Sequence, residues 1–177
     1  VRFRLVQRVA LPPEGALGAL SQSSFWTEGG ASPGLSVLEV LAREERSDTV
    51  ELQVRFAFTG ELSGAVRGFV DPDKLTWITT ATVRPARLEM GFVIRPDHYP
   101  DLLRGSGTYR FSPVPEGTEE KVEGEVTVPV PVVGRMAEKA LVSGLSDWVA
   151  AEAGRLVAWA DRAPGPGGPD PGSTVDQ

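Results

Sequence analysis

The stretch "VEGEVTVPVPVVGRMAEKALVSGLSDWV", residues 122 to 149, constrains the chain more than any other. Val122, Val126, Val128 and Val130 alternate with Lys121, Glu123, Glu125 and Thr127, the period of a half-buried strand. From about Gly134 to Arg162 the period becomes helical. Between the two, Pro129 and Pro131 remove hydrogen-bond donors two residues apart, so both missing N–H groups face the same neighbour. The end of this strand therefore pairs on one side only, either at a sheet edge or by peeling away from the sheet. An edge strand that uses proline to avoid aggregation accounts for the pattern equally well.

Upstream, the alternation of apolar residues predicts a sheet. Residues 2 to 11 place Phe3, Leu5, Val9 and Leu11 on one face and Arg2, Arg4 and Arg8 on the other. Pro12 and Pro13 end that strand and open one or two short helices in "PPEGALGALSQSSFW". Residues 35 to 59 read as a hairpin turning at Ser47 and Asp48, its first arm without a clear register. "GELSGAVRGFV" breaks the alternation and reads as a short helix or irregular crossover. Two more β-rich runs follow at 75 to 84 and 87 to 95, then a loop at "PDHYPDLL" and a last hairpin around "PEGT".

Along the terminal helix one stripe collects Val133, Ala137, Leu141, Gly144, Leu145, Trp148, Ala151, Leu156 and Trp159. Many of these are small, and Gly144 implies a local need for space or a kink. Glu152 and Arg155 fall on the same stripe at i and i+3, where they can pair. The plain explanation is a helix that has run past the sheet and is wet all round. The functional one is a polar pair at a cavity mouth that orients an apolar ligand. A sheet with one apolar face and a helix with one apolar stripe must bury against each other. The expected architecture is α+β, a helix-grip: a curved antiparallel sheet of about six to seven strands wrapped around the C-terminal helix, with short helices after strand 1. Residues 1–162 form the expected domain; the Pro/Gly-rich residues 163–177 are expected to be disordered.

Composition narrows the partners. The chain has 177 residues, suited to one domain, and a net charge of −6, with arginines scattered among acidic neighbours. A nucleic-acid partner is not expected, because such proteins concentrate positive charge. No apolar run approaches the ~18 residues of a membrane span. The arginine-interleaved start does not read as a signal peptide. With 0 Cys there is neither a disulfide framework nor a thiolate site, which fits the cytoplasm.

Catalytic motifs do not emerge. The 1 His, His98, sits in the "PDHYPDLL" loop, where it could pair with Asp97 or Asp101 on a metal, gate a cavity with Tyr99, or simply be solvated. Solvation fits the local sequence best, and no cofactor or metal is expected. Phe56, Phe58, Trp77, Phe92, Tyr109 and Phe111 fall on inward faces, where they fill a core or line a cavity. Gln7, Glu39 and Glu152 are the polar residues expected to point inward. Gln7 interrupts an apolar face and needs a buried partner or a ligand.

The order of elements resembles the START-like helix-grip (SRPBCC) superfamily, which includes the birch-pollen-allergen fold and polyketide cyclases. The junction "GEVTVPVPVVGRMAEKALVSGL" is similar to that of an actinobacterial branch of unassigned function. This resemblance implies a hollow between sheet and helix that holds an apolar molecule, lipid or polyketide-like. The candidate ligand contacts are Gln7, Phe56, Phe58, Trp77, Phe92, Tyr109, Phe111, Leu141, Leu145, Trp148, Glu152 and Arg155. A non-enzymatic binding protein is the leading expectation. A cyclase- or hydrolase-type enzyme in the same pocket, and a non-catalytic interaction module, are the alternatives.

Overall fold

The computed structural model describes residues 1–29, 32, 34–68 and 70–162. The expected disordered tail lies outside them. The strands are β1 (Arg2–Val9), β2 (Leu35–Glu45), β3 (Val50–Phe58), β4 (Thr76–Arg84), β5 (Glu89–Pro96), β6 (Arg104–Val114) and β7 (Gly117–Thr127). The α-helices are α1 (Pro13–Leu20), α2 (Ser23–Gly29), α3 (Gly64–Arg67) and α4 (Gly134–Arg162). The strands form one sheet in the order β1-β7-β6-β5-β4-β3-β2, every pair antiparallel. Helix α4 touches β1 and β7 at one side of the sheet and β2 at the opposite edge. One helix reaches both edges only if the sheet curves around it, so the expected α+β helix-grip is the architecture.

β3 shows why the apolar residues choose a face. Val50, Leu52, Val54, Phe56 and Phe58 are buried, and the residues between them are half-exposed. A strand sends alternate side chains to opposite faces, so this pattern commits one face to the core. The unclear register of β2 has a physical cause: its pairing with β3 shifts between Val37 and Glu39 and again between Val40 and Ala42. Glu39, expected to point inward, instead pairs with Arg55 on the outer face. The bulge moves it across the sheet.

The proline segment is corrected in one respect. β7 is not an edge strand, because β1 pairs with it on one side as far as Glu125 and β6 on the other as far as Thr127. The chain peels away there, before the prolines could leave a ladder bond unmade. Val128 N–H, now without a strand partner, donates to Glu138 Oε1 of α4 at 2.9 Å. The reversal is tight: a Cβ on Gly134 would sit 2.2 Å from the Val128 carbonyl oxygen. Only glycine fits that approach.

On α4 the stripe is corrected, and of the two accounts of Gly144 the need for space holds. Ala151 is exposed and Val149 is buried, so the buried face is rotated relative to the predicted stripe. Gly144 meets no kink: α4 is continuous, and Gly144 lies against the backbone of Gly34 at the start of β2. The close approach of the helix to the sheet edge rests on Gly34, where a Cβ would stand 2.4 Å from the Gly144 Cα.

Candidate functional site

Beneath the N-terminal half of α4 lie two adjoining apolar chambers. The inner one, about 80 Å³, is walled by Trp26, Phe56, Trp77, Phe92, Tyr109 and Trp148, with Leu141 and Leu145 from the helix. The outer one, about 70 Å³, runs beside Phe58, Val66 and Val133 to a rim that includes Lys74, His98 and Tyr99. Trp77, Leu103 and Leu141 belong to both walls and divide the two spaces. A water needs roughly 10–15 Å³ by the same measure, so each chamber has room for several water-sized groups. Both walls are almost wholly apolar, a setting that favours a hydrocarbon group over water.

The aromatic residues interlock. Phe56 stands edge-on to Trp26 at 6.1 Å and to Trp148 at 5.4 Å, and stacks with Trp77 at 6.1 Å. Trp26 is held by donating its indole N–H to the Leu20 carbonyl at 2.9 Å. Phe111 lies outside both walls, stacked on Tyr109 at 6.3 Å.

Behind Tyr109 and Trp148 is a polar cluster drawn from four elements. Gln7 of β1 donates to Glu120 Oε1 of β7 at 3.2 Å, the two being directly paired across the strands. Glu152 of α4 comes down on Glu120, and both side chains are completely buried. Tyr109 of β6 lies within reach of both charges. Arg155, one turn beyond Glu152, spreads its guanidinium over the Trp148 ring at 3.7 Å and over Phe25 at 5.9 Å. Glu152, read most simply as wet, is thus wholly enclosed, and Arg155 is half-buried. The pair is at neither a solvated helix end nor a cavity mouth.

Burial governs the charge state. It pushes the Glu120 carboxyl up to about 9, with the Glu152 charge adding to the rise and the Gln7 hydrogen bond opposing it. Burial pushes Glu152 up to about 7, held back first by the Arg155 charge. Two facing carboxyls in a dry site cannot both ionise cheaply, so the pair shares one proton near neutrality. Burial likewise pushes the Tyr109 hydroxyl well above its ordinary range, with both glutamates adding to the rise. Glu120 Oε2 and both Glu152 oxygens are enclosed without a hydrogen-bond partner of normal geometry among the described residues.

Of the twelve predicted contacts, Phe56, Trp77, Phe92, Tyr109, Leu141, Leu145 and Trp148 come together around the inner chamber, and Phe58 joins Leu141 at the outer one. Gln7, Glu152 and Arg155 converge behind it, and Phe111 belongs to the packed core. Sequence reasoning missed Glu120 and Trp26. Glu120 has the same strand parity as buried Val122, which marks it as inward, but its run "EGTEEK" reads as a solvated turn. His98 is exposed at the outer rim, and no group of three or more potential ligands for a metal exists among the described residues.

A family model described as "Protein of unknown function (DUF2505)" matches residues 4–160. No curated protein matches the sequence significantly. Among solved structures, a Thermus thermophilus protein superposes with a TM-score of 0.67 at 18% identity, covering 89% of this chain and 98% of its own. The Zhui aromatase/cyclase of Streptomyces sp. R1128 gives 0.58 at 14% identity, over 92% and 93% of the two chains. A START superfamily protein from Mycobacterium smegmatis gives 0.56 at 19% identity, over 89% and 97%. At these identities the likeness establishes the shared fold.

Proposed function

Since the chain belongs to the DUF2505 family of proteins of unknown function and has the START-like helix-grip fold, we propose that it binds a small apolar molecule between the sheet and α4. The observation that carries this reading is the pair of adjoining, nearly wholly apolar chambers divided by Trp77, Leu103 and Leu141. Small-molecule sites are concave and mostly apolar, as these chambers are, though at about 80 and 70 Å³ they are smaller than the roughly 300–1,000 Å³ usual for drug-sized ligands. Each chamber is small, so a ligand that fills both must move Leu103 or Leu141 aside. Trp26, Trp77 and Trp148 wall the inner chamber, so occupancy changes their fluorescence. Native mass spectrometry of the purified protein, followed by tryptophan quenching with a panel of apolar compounds, tests the reading. A protein that carries no adduct and is quenched by none of the panel refutes it.

A second reading, an acid–base enzyme in the same space, is favoured by one observation: Tyr109, Glu120, Glu152 and Arg155 converge behind the inner chamber. A carboxyl pair holding one proton near neutral pH can give and take a proton. Structural neighbours named as aromatase/cyclases add weight to it. Its test is whether the protein turns over the compounds it binds, and whether Glu152→Gln stops turnover while binding persists. Compounds that bind and are recovered unchanged defeat it.

A further inference from the structure

The segment between β7 and α4 leaves one apolar side chain almost wholly in water. Val132 is 93% exposed, against 58% for Val93, the next of the exposed large apolar residues. Its backbone stands at φ 68°, in the left-handed region that a β-branched residue adopts only at a cost. Local hydrogen bonds fix it there: Val133 N–H donates to the Pro131 carbonyl at 2.8 Å, and Gly134 N–H to the Val130 carbonyl at 2.9 Å. Nothing inside the fold returns that cost through burial of the Val132 side chain.

The neighbours of Val132 form a small tip of mixed character. Pro129, Pro131 and Met136 are exposed beside it, and so are Arg135 and Lys139. Arg135 and Met136 lie four and three residues before Lys139 on α4, so the three share a face. Neither cation makes an ion pair among the described residues. Glu138, the acid between them, is committed to the Val128 N–H at 2.9 Å. A stable protein interface takes about 800 Å² from each partner, more than these few apolar side chains can supply. Apolar side chains collared by cations suit an anionic lipid surface, where the first enter the acyl boundary and the second meet the headgroups. Val128, Val130, Val133 and Ala137, from the same stretch of chain, wall the outer chamber.

We propose that this tip docks on an anionic lipid bilayer, with Val132 and Met136 entering the acyl boundary and Arg135 and Lys139 meeting the phosphates. Docking there brings the outer chamber to the membrane surface. The chain as a whole carries a net charge of −6 and is repelled by such a surface, so the basic tip approaches first. Two apolar side chains and two cations give a weak, reversible hold. The inference goes beyond the binding reading: docking needs no ligand, and its failure leaves that reading standing.

The test is sedimentation of the protein with vesicles of phosphatidylcholine alone, and with vesicles of phosphatidylcholine and phosphatidylglycerol in equal parts. The wild type should bind the mixed vesicles, less so as salt is raised, and bind phosphatidylcholine alone far more weakly. Asparagine tolerates left-handed backbone, so Val132→Asn should keep or raise the melting temperature. The same variant should bind the mixed vesicles about tenfold more weakly. Arg135→Gln with Lys139→Gln should weaken that binding at least about tenfold and remove most of its salt dependence. No binding to the mixed vesicles, equal binding to both kinds, or binding undiminished by Val132→Asn overturns the proposal. So does a lowered melting temperature of Val132→Asn, which would make Val132 a structural residue. A wild-type dimer in light scattering that Val132→Asn dissolves also overturns it, by assigning the tip to a second copy of the chain.

Discussion

The guanidinium of Arg155 lies 3.7 Å from the centre of the Trp148 ring, two turns away on the same helix. That contact holds a cation in the interior beside Glu152, whose negative form it stabilises. A desolvated cation–π contact is worth about 2 kcal/mol. Arg155→Met keeps most of the packing and removes the charge. We expect it to destabilise the protein by roughly 2–4 kcal/mol at pH 8, where the unpaired buried charge matters most. At pH 5, with Glu152 protonated, the loss should be visibly smaller. Urea denaturation at both pH values measures this; equal losses would show that Arg155 and Glu152 are not coupled.

The glutamate pair makes stability depend on pH with a definite sign. Burial raises Glu120 to about 9 and Glu152 to about 7 in the folded protein, against an ordinary value of 4.5. A raised folded pKa means that the folded state holds protons the unfolded chain has released. The stability contributed is complete below pH 4.5 and is lost as pH climbs through 7 toward 9. Wild-type protein should therefore lose on the order of a few kcal/mol between pH 5 and pH 9. The Glu120→Gln, Glu152→Gln double variant should lose much less. Thermal melts across that range give the comparison, and a flat wild-type profile contradicts the charge assignment.

Gly34 and Gly144 should respond unequally to the same change. A Cβ on Gly34 would stand 2.4 Å from the Gly144 Cα, whereas one on Gly144 would come no nearer than 3.4 Å to the Gly34 backbone. Gly34→Ala forces the helix off the sheet edge and should cost about 1–3 kcal/mol. Gly144→Ala should be close to neutral, because helix propensity returns up to about 1 kcal/mol. Melting temperatures of the two variants decide it; similar losses would mean that the helix does not approach here as described.

Filling the inner chamber should separate binding from stability. Ala81 is 2% exposed and forms part of its wall. Ala81→Leu adds three carbons where space exists, so stability should stay within about 1 kcal/mol of wild type or rise. Uptake of any inner-chamber ligand should fall at least about tenfold, which is about 1.4 kcal/mol. Unchanged uptake would place the ligand elsewhere.

Much of the architecture was legible in the residues alone. Strand positions follow from a two-residue alternation that is local to each segment, as Val50 to Phe58 shows. The helix is announced by the change of period after Gly134. The phase of a long helix is less secure: Ala151 and Val149 exchanged roles because which flank of α4 meets the sheet is set by packing. Glu39 was misplaced because a bulge in β2 depends on how β3 pairs with it.

By itself the sequence determined the kinds of element, their order, and that one face of each must be buried, since all of these are consequences of neighbouring residues. It also marked Gln7 as a polar residue needing a partner. Only the tertiary structure decided what that partner is. Gln7 meets Glu120 through strand register, and Glu120 meets Glu152 because the sheet curves until β7 and α4 face each other. The same curvature brings Gly34 against Gly144. Such meetings join residues far apart in the chain, and no local pattern carries the distance between them.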